Sequence, residues 1–377
     1  MKGSQKGGKG LPLSKRIADK DTLIIDFGRR VRALSSTIMG GGLRELTHAV
    51  FHRVDPDFND PNPVEYVERL LERLGLPGES SAVFLTAVDA VREHIEIQAD
   101  SPTRIMLVAS VGLGHGVSIE AGVGRKPGTI NILLLVGKSL TDNALIDLAG
   151  VVSSAKTLAL VDLALSRGYN LSRVYATATD ALVIASAIDE VDRELYGGPA
   201  TPIGSEAARL VYEAIVSAGL KSLGEGERFR NIFGVNMSWI ADTASKIYRR
   251  APLPGLSETE VRREVAAELR RLLRDPNIWA LALAARNLDW YGLAGALPEL
   301  GRDEYLSDSK KILTDELLGI TLALYINGWR ALFAYYWVDS AKEELEEFGD
   351  KPMFMDDILA SLIGSILSRI YDRYLAR

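Results

Sequence analysis

The stretch TINILLLV (129–136), followed by DNALIDLAGVVSSAKTLALVDLALSR (142–167), decides the fold of the first half of the chain. Six of the eight residues in the first segment are Ile, Leu or Val, the composition of a strand. The second carries apolar residues at helical spacing, so a strand is followed directly by a helix. Working outward, further candidate strands are Thr22–Phe27, Val31–Ser36, Ala82–Val88, Arg104–Val111, Arg173–Ala178 and Leu182–Ala187, and Val64–Leu74 is a second helical period. Strands and helices interleaved in this way predict a layered α/β domain with a mixed sheet.

From about residue 205 the pattern changes. Helical periods dominate, as in Glu206–Ala218 and Thr259–Arg274, and β-branched runs nearly vanish. Gly224, Gly226 and Gly234 punctuate the change. The expected organisation is two domains, with a disordered tail over 1–15, an N-terminal α/β domain over 16–221 and a C-terminal all-α domain over 222–377. Leu317 to Val338 is long and apolar enough to span a bilayer, but Asn327, Gly328 and Arg330 sit near its middle. It is therefore read as two buried helical stretches joined by a turn.

Composition removes several function classes. The net charge of −6 and the lack of a basic cluster argue against a nucleic-acid surface. Without cysteine there is no thiolate nucleophile, disulfide or zinc ribbon. The four histidines (His48, His52, His94, His115) lie in the first third, so a metal bound further on must take oxygen ligands. Residues 1–10 do not lead into a signal-peptide core, and a cytoplasmic protein without a membrane span is expected. Gly137-Lys138-Ser139 imitates a phosphate loop but has Ile132 where the first glycine belongs. Gly112, Gly114 and Gly116 lack the third glycine of a dinucleotide fingerprint.

Ser35-Ser36-Thr37-Ile38-Met39-Gly40-Gly41-Gly42 joins hydroxyls to three glycines at a strand end, where backbone can approach a ligand. His48 and His52 follow four apart, on one face if that stretch is helical. AGVGRKPGTINILLL (121–135), YATATDALVIA (175–185) and YGGPATPIGS (196–205) add glycine loops and hydroxyl-rich strand edges. In that order, together with Ala155-Lys156, these segments resemble the adenosylcobinamide amidohydrolase family over about residues 20–220. The resemblance implies cleavage of the amide joining an aminopropanol arm to a corrin ring, giving adenosylcobyric acid. Such a reaction needs a nucleophile, an oxyanion site and a proton donor. Ser35 or Ser36 is expected as nucleophile or water-positioning group, His48 as acid/base and the Gly40, Gly41 and Gly42 amides as oxyanion site. Thr177, Thr179 and Asp180 are expected to contact substrate.

The C-terminal region carries two acidic pairs in apolar surroundings, Asp315-Glu316 and Asp356-Asp357, with Asp308 seven residues before Asp315. Buried carboxylates demand a partner, and a divalent cation is the simplest one for four acids. For Asp356-Asp357 helix capping is the competing explanation. Small residues Ala360, Ser361, Gly364 and Ser365 would let the last helix approach a neighbour closely. DPNIWALALAARNLDWYGLAG (275–295), SDSKKILTDELLG (307–319) and FMDDILASLIGSILSRIY (354–371) resemble the archaeal α-ribazole phosphatase family, related to phosphatidylglycerophosphatase A. That resemblance implies Mg²⁺-assisted hydrolysis of α-ribazole 5′-phosphate, with Asp308, Asp315, Glu316, Asp356 and Asp357 as metal ligands and Lys310 neutralising charge. Ser340-Ala341-Lys342-Glu343 stands where the family carries Lys-Pro-Gly. The whole chain is thus expected to serve cobalamin salvage with two small-molecule substrates. The alternative expectation is a lipid phosphatase joined to a corrinoid-binding, non-catalytic domain. Homo-oligomerisation is left open.

Overall fold

The computed structural model describes residues 13–114, 116–119, 128–167, 172–188, 193–309, 311–349 and 351–375. His115, Lys310, the whole of the 121–127 glycine loop and residues 1–12 of the expected tail lie outside them. Two compact units are separated by chain contacts: residues 1–163 with 174–223, and residues 164–173 with 224–377. Each is described by itself.

The first unit is built on one mixed sheet of nine strands among the described residues. In chain order these are β1 (Ser14–Asp19), β2 (Thr22–Ser35), β3 (Gly42–Arg53), β4 (Ser81–Thr86), β5 (Ile95–Gln98), β6 (Ile105–Gly112), β8 (Thr129–Leu140), β11 (Ala181–Ala187) and β12 (Arg193–Glu194). Two small strands, β7 (Gly116–Ser118) and β10 (Ser172–Thr177), pair outside it, and β9 (Ser166–Arg167) pairs with the first residues of β10 within the second unit. The main order is β4-β3-β2-β11-β8-β6-β5, with β3/β4 and β8/β11 parallel and the rest of that path antiparallel. The segment 129–136 is the start of β8, buried on both faces between β11 and β6, which suits its apolar composition.

The two runs read as Thr22–Phe27 and Val31–Ser36 form one strand. A bulge divides them: the pairing with β3 shifts between Asp26 and Val31, and Gly28 takes φ +63° with its N–H on Asp26 Oδ1. His48 and His52 lie on β3, a strand where a helix was allowed for. They still face alike, because strand faces repeat every second residue. Strand β1 begins at Ser14, inside the stretch expected to be tail.

The sheet curls until its β4 edge meets β8 and β6. Asn131 Nδ2 donates to Leu85 O at 2.9 Å, and Ser110 Oγ to Thr86 Oγ1 at 3.3 Å. Its inner face encloses Leu23, Ile25, Phe51, Phe84, Leu133 and Leu135 without help from a helix. On the outer face, helix α1 (Pro63–Leu74) packs Val67, Leu70 and Leu71 on Ile24, Val50 and Val83. Helices α2 (Asp142–Asp162) and α3 (Pro202–Ser222) pack on each other and on the β11, β8 and β6 side. The helix read over 142–167 therefore ends at Asp162.

The second unit is helical, apart from the 166–173 pairing: α4 (Glu225–Phe233), α5 (Met237–Tyr248), α6 (Glu258–Leu272), α7 (Pro276–Leu293), α8 (Arg302–Leu306), α9 (Thr314–Ala341) and α10 (Met353–Leu375). Helix α10 is its centre, buried nearly all round from Met353 to Ser368. The small residues read on it do bring α9 close. Ser361 Oγ reaches Gly319 O at 2.7 Å, and a Cβ on Gly364 would lie 2.6 Å from Tyr335 N. Helix α9 breaks at Asn327 and Gly328, where the sequence placed a turn. Burial is the part of that reading that fails: Trp329, Phe333 and Tyr336 on α9 are about 70% exposed. Helices α2 and α9 are both long and apolar enough to cross a membrane by length and composition. In α2 that apolarity is used for packing on the sheet and α3.

A buried ion cluster ties α6 to α10. Glu268, 2% exposed, is bonded by Arg271 at 2.5 Å, Arg373 at 2.8 Å and Arg369 at 2.9 Å. Burial raises the pKa of this carboxyl, but the guanidinium hydrogen bonds and charges outweigh it and hold it below its ordinary value. A depressed folded pKa means that this stabilisation is present above the unfolded pKa of about 4.5 and is lost as pH falls through the folded value. Glu268→Gln is expected to destabilise the helical unit by about 1–3 kcal/mol at pH 7, because the three arginines lose their anion but still reach water. Urea denaturation at pH 7 and below pH 4 checks this, and the difference from wild type must shrink at the lower pH.

Candidate functional site

In the first unit, the end of β2, the end of β4, the start of β8 and the β10–β11 turn meet around a pocket of about 350 Å³. Polar residues on its wall include Ser36, Thr37, Thr129, Asn131, Thr179 and Asp180. Segments almost 150 residues apart in sequence thus supply one surface. The curl of the sheet makes this geometry, since β4 reaches the start of β8 only through it.

Asp180 is the fixed point of the wall. Its Oδ1 accepts Ile130 N at 2.9 Å and the Thr177 hydroxyl, and its Oδ2 accepts Thr177 N at 3.1 Å and Lys156 Nζ at 2.5 Å. Four donors use the carboxylate's main acceptor sites. Lys156 and Asp180 are each about one-sixth exposed, so the ion pair is largely withdrawn from water. Thr177 and Asp180, expected to touch substrate, bind each other; Asp180 also lines the pocket, and Thr177 does not. Thr179 stays at the pocket, with its Oγ1 2.6 Å from Thr129 Oγ1. Asn131 is fully buried, and its Oδ1 has no hydrogen-bond partner.

The structure separates the expected N-terminal catalytic group. Ser36 is exposed at the pocket, held to Leu182 by a backbone bond and by Leu182 N donating to its Oγ at 2.9 Å. Ser35 is 7% exposed and bonds Thr37 Oγ1 at 2.8 Å, so its hydroxyl is committed inside. Gly40 has φ +80°, and a Cβ there would lie 2.5 Å from Ser81 O. A Cβ on Gly41 would lie 2.6 Å from Thr37 O, while Gly42, at φ +88°, has open space around it. Gly40 and Gly41 thus let backbone meet backbone; none of the three lines the pocket.

His48 lies six residues along β3 from Gly42, about 20 Å of strand path. Its ring contacts Thr47 Oγ1 at 2.9 Å and Asp26 Oδ1 at 3.9 Å, away from both serines. His52 is buried between Thr22 Oγ1 and Tyr66 OH, each at 2.9 Å, and burial lowers its pKa. Sequence reading missed Thr37, Thr129 and Asn131 as wall residues. Lys156 was noted only as part of an Ala-Lys pair. The GTIN segment contained the signal for Thr129 and Asn131, which alternate onto one side of β8.

In the second unit Asp356-Asp357 gathers with Asp339 around a lysine, and Asp315-Glu316 lies within range of the same charge. Lys342 Nζ lies 2.7 Å from Asp339 Oδ1, 2.7 Å from Asp357 Oδ1 and 3.0 Å from Asp356 Oδ2. Asp308 stands between α8 and α9 at φ +50°, so it shares no continuous helix with Asp315. Asp315 is 6% exposed with Oδ1 unpartnered. Burial raises its pKa, and the charge of Asp308 adds to the rise. Burial likewise raises Glu316, with Asp339 and Asp315 adding, and raises Asp356 and Asp357 against the attraction of Lys342.

The capping explanation for Asp356 fails for a specific reason. Asp289 of α7, fully buried, takes the N-terminal amides of α10, Phe354 N at 2.9 Å and Met355 N at 3.0 Å, and also Tyr305 OH at 2.8 Å. Burial still pushes Asp289 up to about 7. Among the described residues no three carboxylates stand ready as a metal-binding group, and the ammonium of Lys342 sits where three of them meet. An orphaned buried carboxylate oxygen beside an oxygen-only donor set nevertheless fits a hard divalent cation.

With this geometry in hand, comparison with known proteins is specific. Residues 9–227 match the sequence model of the family described as adenosylcobinamide amidohydrolase. That is more than half of the chain, and the chain belongs to this family. An adenosylcobinamide amidohydrolase of Methanosarcina mazei is 29% identical over 198 residues, covering 50% of this chain and 90% of that protein. One of Halobacterium salinarum is 28% identical over 190 residues, covering 48% and 77%. A solved structure, the low temperature requirement C protein from Listeria monocytogenes, covers 39% of this chain and 92% of that chain at 22% identity and a TM-score of 0.33.

Asp180→Ala is expected to destabilise the first unit by about 2–4 kcal/mol, since Lys156 and the Ile130 and Thr177 amides lose their acceptor. Thermal and urea denaturation check this, with Thr179→Ala as the control: that side chain is exposed, and its loss should leave the midpoint nearly unmoved.

Proposed function

We propose that the first unit of this family member hydrolyses the aminopropanol amide of adenosylcobinamide at the 350 Å³ pocket. The observation that carries the reading is the convergence there of the serine–glycine, GTIN and TDA segments, distant in sequence and adjacent only in the folded sheet. A corrinoid is several times larger than this pocket, so the amide-bearing arm enters and the macrocycle stays at the mouth. Ser36, Thr129 and Thr179 supply hydroxyls that orient the attacking oxygen or bind the developing oxyanion. Asp180 and Lys156 hold the β10–β11 turn so that Thr179 faces Thr129. Ile38, Phe58 and Leu85 make part of the wall apolar, beside the hydroxyls.

A second reading concerns the helical unit and is favoured by the orphaned Asp315 oxygen amid raised carboxylates. Here the proposed substrate is α-ribazole 5′-phosphate. Asp315, Glu316, Asp356 and Asp357, with Asp308, would hold Mg²⁺, which would supply Lewis-acid stabilisation of phosphate charge. Asp289 fixes the start of α10 and with it Asp356 and Asp357. Lys342 supplies positive charge for the phosphate, in place of the Lys-Pro-Gly segment that the family resemblance leads one to expect after Trp337.

Purified full-length protein is expected to form adenosylcobyric acid from adenosylcobinamide and to release phosphate from α-ribazole 5′-phosphate. Chromatography of the corrinoids and a colorimetric phosphate assay, each with EDTA and with added Mg²⁺, check the two readings separately. No amide cleavage under either condition sinks the first. Phosphate release that survives exhaustive EDTA sinks the second, and release only from a lipid phosphomonoester replaces its substrate.

A further inference from the structure

Amide hydrolysis needs a group that takes a proton from the attacking water and returns it to the leaving amine. The expected group, His48, is bonded elsewhere. Among the described residues lining the pocket, only two side chains are ionisable at all, Asp55 and Asp180. Asp180 already accepts four hydrogen bonds, one from a lysine. Asp55 is different. It is exposed on the loop after β3, and only its Oδ1 is occupied, by Asp57 N at 2.8 Å.

That loop is held firmly. Val54 N donates to Thr86 O at 2.8 Å, anchoring the loop to the end of β4, and Phe58 N donates to Asp55 O at 2.9 Å. Pro56 follows Asp55 and keeps it in extended backbone. Phe58 packs on Tyr66 of α1 with ring centroids 4.9 Å apart. The loop therefore presents Asp55 at a fixed place on the wall that Ser36, Thr129 and Thr179 also line.

We infer that Asp55 is the catalytic general base and acid of the amide-cleaving pocket, an inference that rests on the amidase reading of that pocket. Its carboxylate takes one proton from water while the water oxygen bonds to the amide carbon, giving a tetrahedral oxyanion. Collapse restores the carbonyl and breaks the C–N bond, and the proton passes from the Asp55 carboxylic acid to the departing nitrogen. Amide and water are thereby converted to carboxylic acid and amine, with Asp55 returned to its starting state.

Asp55→Asn keeps the acceptor for Asp57 N–H and removes the basicity, so the loop is retained. On adenosylcobinamide its kcat is expected to fall by about 100-fold or more. Corrinoid binding, followed by the absorption change on titration, is expected to stay within about threefold of wild type by the same reasoning, since the group acts in proton transfer. The acid limb of the wild-type pH–rate profile should vanish in the variant, and Asp55→Glu should restore part of the rate. Should the Asn variant lose its thermal transition, Asp55→Ser keeps a short acceptor for the same amide and carries the same expectation. A kcat within threefold of wild type, or a loss confined to KM, overturns the role of Asp55 and leaves the amidase reading standing. Absence of turnover by the wild-type protein overturns both.

Discussion

The site of the first unit depends on one carboxylate being surrounded by donors. Asp180 ties three elements together at one point: the start of β8 through Ile130 N, the end of β10 through Thr177, and α2 through Lys156. Desolvating a carboxylate is unfavourable by several kcal/mol, and only a near-complete shell of partners offsets it. The consequence is rigidity at the place where the pocket needs it. Thr179 and Thr129 face each other because the turn between them cannot relax without exposing a charge. A wall of hydroxyls is a weak catalytic device if it is mobile, and orientation is where much of its contribution lies.

The helical unit settles its buried acids in three different ways, and the differences separate structure from chemistry. Glu268 is neutralised by three arginines and links helices. Asp289 is satisfied by two helix amides and a tyrosine and fixes the start of α10. Asp315 has no partner for a buried oxygen, and nearby acids share a single lysine. The first two arrangements are complete without a ligand. The third is under-supplied with positive charge, so burial raises these carboxyls against the attraction of Lys342 alone.

Much of the architecture was legible because it rests on local pattern. The apolar run of 129–136 announced a strand, and Asn327-Gly328 announced the break in α9. What the sequence concealed was curvature. Nothing in Gly40 or Leu85 says that β4 will curl back to β8, so Ser36 and Asn131 could be named or quoted without being seen as neighbours. The same blindness put His48 beside Ser36: twelve residues of chain is near in sequence, but a strand carries the histidine about 20 Å along its own path. In the helical unit the small residues of α10 signalled close packing, whereas a lysine at the meeting point of three aspartates carries no motif.

Exposure of an acid also changes what it can do. Asp356 and Asp357 are held near a lysine under heavy desolvation, conditions that suit ligation of a cation more than cycling of a proton. Asp55 sits on a solvated loop with one oxygen open, where a proton can be taken from water and exchanged between turnovers. Adjacent acids in apolar sequence attract notice first, because burial makes them costly. A lone aspartate before a proline attracts none. For amide cleavage in a pocket with no histidine among the described residues of its wall, the unremarkable aspartate is the one with a free oxygen to use.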